Sequence, residues 1–276
     1  MGMVALLFFS CAKEGDTINN YTTSGDGGKR PNRSMLKIFG NVDSSATIRF
    51  NFRNNEIGKL QEFIAFDNTG QPNLKMIFLF NGSGQPVGFQ TYKQPINTLE
   101  AQGTFKLDKQ GRIISVVQRK TNGDTSGIAS FQYGENVEYQ PIVYSYYDKT
   151  ADKITVNEFY TYDKDGNMTK SVRYVTDNLN PTYKAEETEA TGFGKGINGL
   201  NQLYYYLVAN SYNTGFSSSS ILYFSNYLPT SVRSQSYKSD GSNQSVYISN
   251  LELELDNNDN VVLIGGMGSS PIFLKY

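Results

Sequence analysis

Apolar side chains recur on alternate residues along much of this chain. From Ile154 to Tyr162, Ile154, Val156, Tyr160 and Tyr162 share one face, and Thr155, Asn157 and Thr161 share the other. A period of two describes a half-buried β-strand, apolar on one side and wet on the other. Beyond the polar stretch 163–167 the alternation resumes. Counting by twos assigns Met168, Val172 and Tyr174 to the apolar face and Thr169, Ser171 and Arg173 to the polar one. Glu158 interrupts the apolar face of the first run and Lys170 that of the second.

Between such runs one local phrase returns: an aromatic or Leu, usually Asp or Asn, a few polar residues often with Gly, then a new alternation. It reads FRNNEIGKL from Phe52, FDNTGQP from Phe66, FNGSGQP from Phe80, LDKQGRI from Leu107, YGENVEY from Tyr133, YDKTADKI from Tyr147 and YDKDGNMT from Tyr162. LDNNDNVV from Leu255 is a further copy, and YKSDGSN from Tyr237 a looser one. Successive copies from Phe52 to Tyr162 are 14, 14, 27, 26, 14 and 15 residues apart, one or two units of an internal repeat. Asp and Asn bond their own backbone and Gly takes positive φ, so each phrase predicts a hairpin turn. The fold class expected is mainly β: an antiparallel meander of repeated hairpins, as a curved single sheet or an open barrel-like one.

One segment departs from the period of two. In 199–210, Leu200, Leu203, Tyr204, Leu207 and Val208 follow helical spacing, with Asn198 placed to cap the start. A short amphipathic helix is expected there, covering part of the apolar sheet face. The run Tyr204, Tyr205, Tyr206 is then divided between core and solvent.

The phrases resemble YD repeats, the tyrosine-aspartate hairpin units of Rhs-type shells. They resemble more closely the shorter copies in outer-membrane lipoproteins of Bacteroidota. The residues that carry the resemblance best are Tyr147-Asp148 and Tyr162-Asp163-Lys164-Asp165-Gly166-Asn167, with Phe66, Phe80 and Leu107 in the tyrosine position elsewhere. It covers about residues 50–176 well and the end of the chain loosely. The units are shorter than those of the large toxin shells, and the copies are fewer than a closed shell needs.

The N-terminus carries an address. The short apolar run from Met3 to Phe9 ends in Ser10 and Cys11, which resembles a bacterial lipobox. In such signals the cysteine is lipidated and the preceding peptide removed, and two or more acyl chains give stable anchoring. Residues 12–34 are crowded with Gly, Asn, Thr and Ser and hold too little apolar surface to fold, so they read as a flexible tether. Glu14 and Asp16 are similar to the surface-export signals of Bacteroidota lipoproteins. The organisation expected is a signal peptide over 1–10, truncated at its start, a lipidated Cys11 with its tether over 11–34, and one antiparallel β domain over 35–276.

Composition then removes whole classes of chemistry. The chain has 276 residues and no His, so Ser-His-Asp and Cys-His machinery and His-ligated metal sites are excluded within it. Its single cysteine forms no internal disulfide. Lys plus Arg is 25 and Asp plus Glu is 26, so no net field favours nucleic acid, and none is expected as a partner.

Few residue constellations remain. Asp163, Asp165 and Asn167, like Asp256, Asn258 and Asn260, have the oxygen spacing of a calcium loop, but Tyr174 and Met267 stand where the closing Glu belongs. Turn chemistry explains both, and no metal or cofactor is expected. Glu252 and Glu254 alternate with Leu251, Leu253 and Leu255, which places two carboxylates on one strand face, the raw material of a glycosidase or simply a solvated face. Glu186, Glu187 and Glu189 after Lys184 read as a loop surface. A transmembrane β-barrel, suggested by Ile272, Leu274 and Tyr276 on one face, is opposed by the charges at Glu158 and Lys170.

The function expected is a lipid-anchored, non-catalytic binding or interaction module at the bacterial outer membrane, surface-exposed or periplasmic-facing. It would meet the membrane through Cys11 and present its Tyr-, Asn- and Thr-rich sheet face to a glycan, a peptide or a protein partner. A structural or assembly lipoprotein is the alternative, and a His-free carboxylate glycosidase the third reading.

Overall fold

The computed structural model describes residues 37–39, 48–54, 60–67, 71–134, 140–177, 181–200, 208, 220–266 and 272–275. Their strands form one 17-stranded sheet. In chain order these are β1 (Lys37–Phe39), β2 (Ile48–Asn54), β3 (Leu60–Phe66), β4 (Pro72–Phe80), β5 (Pro86–Lys93) and β6 (Thr98–Leu107). There follow β7 (Ile113–Lys120), β8 (Thr125–Tyr133), β9 (Pro141–Asp148), β10 (Lys153–Tyr162), β11 (Met168–Val175) and β12 (Tyr183–Ile197). The last are β13 (Tyr227–Tyr237), β14 (Asn243–Asn250), β15 (Glu252–Leu255), β16 (Val261–Gly265) and β17 (Ile272–Lys275). Each strand from β1 to β13 pairs antiparallel with the next. The hairpin β15–β16 joins this meander from its other side, through β17, which pairs with β1. Among the described residues no ladder connects β14 to β15, so hydrogen bonding does not close the sheet into a barrel. The two sides meet where Ile197 bridges Asn260 and its N–H donates to Asp259 O at 2.7 Å, and where Gly194 and Gly196 of β12 lie against Leu253 and Leu255 of β15.

The recurring phrase is one turn built repeatedly. In the copy from Tyr162, Asp163 N donates to Asn167 O at 2.9 Å and Gly166 N to Asp163 O at 3.2 Å, with Gly166 at φ 76°. The Asp163 carboxylate completes the turn: Oδ1 accepts the N–H groups of Asp165 and Asn167, both at 2.9 Å. The same main-chain pair of bonds recurs at Asn81, Asp108, Lys120, Lys238 and Asp256, with a residue of positive φ at Gly84, Gly111, Gly123, Gly241 and Asp259. The preceding aromatic or Leu packs on the core, as Phe80, Leu107 and Tyr162 do.

Each turn is followed by a bulge. Tyr162 pairs with Met168 but Thr161 with Lys170, which leaves Thr169 as the extra residue. The same skip follows the turns after Phe66, Phe80, Leu107, Arg119, Tyr237 and Leu255. One extra residue reverses which side chains face inward. In β11, therefore, Ser171 and Arg173 point to the inner face, and Lys170, Val172 and Tyr174 to the outer. This corrects the assignment that counting by twos makes from sequence.

Over β3 to β9 the inner face is largely apolar, with Phe63, Met76, Phe78, Phe89, Ile113, Val116, Ala129, Phe131, Tyr144 and Tyr146 buried. The outer face opposite is mixed, with Leu79, Ile142, Ile154 and Phe159 exposed beside polar rows. One row across it runs Lys106, Ser115, Ser130, Ser145, Asn157, Tyr174 and Lys184.

A short helix, α1 (Ser220–Phe224), packs against β11 and β13 and sets the Phe224 ring against Tyr160, with centroids 5.8 Å apart. Asn198 does cap a turn: its Oδ1 accepts Leu200 N at 3.0 Å, while Nδ2 donates to Leu222 O and Ser225 O at 2.6 and 2.8 Å. Leu200 and Val208 are buried as the helical pattern requires, and 201–207 lie outside the described residues, as do Tyr204, Tyr205 and Tyr206. The sequence pattern did not mark α1.

Candidate functional site

One inner row changes character as it crosses the sheet. Its members, each directly opposite the next on successive strands β8 to β14, are Phe131, Tyr144, Glu158, Arg173, Glu186, Ser236 and Ser245. The neighbouring row runs Tyr160, Ser171, Thr188, Ser234 and Tyr247. The apolar lining of β3 to β9 thus gives way, from β10 onward, to an inward wall of carboxylates, hydroxyls and one guanidinium.

Among the described residues Glu158 is the deepest charge, only 2% exposed. Its Oε2 accepts the Tyr160 hydroxyl at 2.5 Å, and its Oε1 lies 3.6 Å from Arg173 Nε. Burial, and then the Glu158 charge, push the Tyr160 phenol well above its ordinary range, so Tyr160 stays a proton donor to the carboxylate. Glu186, on the far side of Arg173, is already engaged: Oε1 accepts Ser234 Oγ at 2.8 Å and Thr188 Oγ1 at 3.5 Å. Thr188 and Ser234 share a further hydrogen bond of 3.0 Å.

Arg173 stands apart from this satisfied network. A guanidinium carries five N–H donors. Among the described residues, Arg173 makes the 3.6 Å ion pair to Glu158 and its buried Nε has no hydrogen-bond partner. Buried polar groups are normally satisfied, and an exception marks stored strain, a catalytic role, or the place of a water, ion or ligand. Flanked by Glu158 and Glu186, Arg173 keeps N–H donors that no described residue takes up.

No described protein family matches the chain, and no curated protein matches it. Solved structures do. The crystal structure of a porin-like protein from Bacteroides vulgatus superposes with a TM-score of 0.51 at 14% identity, over 88% of this chain and 98% of that one. The two share a fold. A porin-like protein from Bacteroides uniformis aligns with a TM-score of 0.44 at 14% identity over 78% of this chain and 89% of that one. The TcdB2-TccC3-Cdc42 structure aligns with a TM-score of 0.31 at 12% identity, over 82% of this chain and 13% of that far longer one.

The residues singled out from sequence are scattered. Cys11 and its tether lie outside the described residues. Glu252 and Glu254 are exposed on β15, opposite Gly265 and Leu263. Asp163 and Asp256 each spend Oδ1 on two turn amides and Oδ2 on the amide side chain of Asn167 or Asn260. The acids 186, 187 and 189 form no loop: they lie in β12, where alternation separates them. Glu186 joins the inner wall, while Glu187 is held on the outer face by Lys170 and Lys184. The inner wall itself escaped the sequence reading because Ser171 and Arg173 were counted outward. The signal that finds them is Gly166, four residues after Tyr162, which marks the turn whose bulge reverses the strand.

Proposed function

We propose that this protein is a lipid-anchored, non-catalytic binding module of the bacterial outer membrane, held through Cys11, whose inner polar wall receives an oxygen-rich ligand, a glycan or an extended peptide. The observation that carries the reading is Arg173, a half-sequestered guanidinium with unused donors between Glu158 and Glu186. Tyr247, half exposed on the adjoining row, supplies a ring face of the kind that stacks on sugars or peptide planes. The ligand face in this reading is the inner wall from β10 to β14, in place of the outward face that the alternation suggests.

Arrays of neutral and acidic glycans and of peptides, probed with the Cys11→Ser chain, test the ligand reading. Binding that Arg173→Met abolishes supports it, and turnover abolished by Glu252→Gln or Glu254→Gln would replace it with the hydrolase reading. Absence of any ligand would favour an assembly role. Labelling with a palmitate analogue tests the anchor separately, with equal signal from Cys11→Ser counting against it.

A further inference from the structure

The inner wall leaves a donor group and an acceptor atom open side by side. Arg173 and Glu186 sit directly opposite each other on β11 and β12, yet the guanidinium pairs only with Glu158, at 3.6 Å, and its Nε has no hydrogen-bond partner. Glu186 gives Oε1 to Ser234 and Thr188, and its Oε2 accepts no hydrogen bond among the described residues. Exposure rises along their row: Glu158 is buried, Arg173, Glu186 and Ser236 are half-buried, and Ser245 is exposed. The open pair thus lies on a polar slope that reaches solvent at β14, where Tyr247 is 54% exposed.

Charge and hydrogen-bonding capacity select the ligand. A hydroxyl both donates and accepts, so neighbouring hydroxyls on one ring can accept from a guanidinium and donate to a carboxylate at once. An ionised acid can only accept, and it would meet Glu158 and Glu186 as well as Arg173. Over the two paired rows of β10 to β14 the inward side chains carry two carboxylates against one guanidinium, so the wall is negative on balance. A peptide that joins a sheet is held by main-chain groups at an edge. Here β11, β12 and β13 each pair on both sides, which leaves side chains alone to meet the ligand.

On the reading that Arg173 binds the ligand, we infer that the ligand is an uncharged glycan. Adjacent hydroxyls of one sugar ring bridge Arg173 and Glu186 Oε2, and the two carboxylates turn acidic sugars away.

The test titrates the full chain carrying Cys11→Ser, by calorimetry, with matched polymers: mannan beside polymannuronate, and cello-oligosaccharides and amylose each beside its C6-oxidised form. At least one neutral member should bind, and its acidic partner should bind more weakly by about tenfold or more. Glu186→Gln keeps an oxygen for Ser234 and Thr188 and removes a charge, so the acidic partner should regain about tenfold relative to the neutral one. Its melting temperature reports whether the variant is folded, and the preference of the parent chain decides alone if it is not. Neutral binding, acidic exclusion and this gain support the proposal. Acidic polymers that bind as tightly as neutral ones, with Arg173→Met still abolishing both, overturn it and leave the binding role of Arg173 standing. A folded Glu186→Gln with unchanged preference does the same. Binding of a peptide in place of any of these polymers, or no binding that depends on Arg173, overturns both.

Discussion

Gly127 lies beneath the ring of Tyr146: a Cβ on the glycine would stand 2.1 Å from the phenolic oxygen and 2.5 Å from Cζ. The two sit on adjacent strands, since Ala129 pairs with Tyr146 and Gly127 with Asp148. The missing side chain is what lets a large aromatic lie flat on the inner face. Gly127→Ala should therefore lower the melting temperature by overpacking, at a cost of about 1–3 kcal/mol. Restoring space with Gly127→Ala plus Tyr146→Leu should recover part of it, and recovery of none would mean that the ring is not the obstacle.

The buried charges of the wall make a second prediction. Removing one partner of a sequestered ion pair costs more than removing both. Glu158→Leu should destabilise by about 2–4 kcal/mol, somewhat under the fully buried value because Arg173 keeps contact with solvent. The double variant Glu158→Leu with Arg173→Met should be more stable than the single one in urea unfolding. Equal stabilities would show that the pair is not coupled.

On the outer face, acid should act through Glu187. Hydrogen bonds from Lys170 and then Lys184 hold its carboxyl at about 2, against an ordinary 4.5. A depressed carboxylate stabilises the fold above its unfolded value and loses that contribution as pH falls through the folded one. Stability due to this cluster should thus be full above pH 4.5 and drain between pH 4.5 and about 2. Solvent screening on the sheet surface limits its size to about 1 kcal/mol. Glu187→Gln should flatten the slope in that window, measured by unfolding at a series of pH values, and leave the curve near neutrality parallel to wild type.

The turn carboxylates predict indifference to calcium. Asp163 gives Oδ1 to two main-chain amides and Oδ2 to Asn167 Nδ2 at 3.1 Å. Asp163→Asn preserves an acceptor and should be nearly neutral, whereas Asp163→Ala should cost about 1–2 kcal/mol through two lost caps. Millimolar calcium should not move the melting temperature of either variant or of wild type, and a rise with calcium in wild type alone would restore the metal reading.

These turns also mark where sequence is legible and where it is not. Phrases such as FNGSGQP and YDKDGNMT carry their own stop and start, because Asp or Asn and a Gly of positive φ need no distant partner. The hairpins and the mainly β meander follow from them. Alternation is legible inside a strand, as with Val156, Glu158 and Tyr160, all buried. It is not legible across a bulge, where one unpaired residue such as Thr169 exchanges the faces, and so Ser171 and Arg173 were assigned to the wrong side. The wall could not be read from composition either, because Glu158, Arg173 and Glu186 become neighbours only through the register of three strands. Helix α1, five residues within a serine-rich stretch, is too short for a helical period and is held by Asn198 and Ser225 from outside its own sequence.

The ladder of β1 with β17 gives the fold an order of events. From β1 to β14 every strand's partner is its neighbour in the chain, and contacts of that kind are made early and at little cost in loop closure. Lys37 to Phe39 must instead find Phe273 to Lys275, more than two hundred residues away. The arc of hairpins can therefore zip progressively, while the last hairpin, β15 with β16, follows β14 after Leu251 alone and takes its final place when β17 reaches β1 and Ile197 meets Asn260. Shape comes from local turns, and completion waits for a single long-range seam.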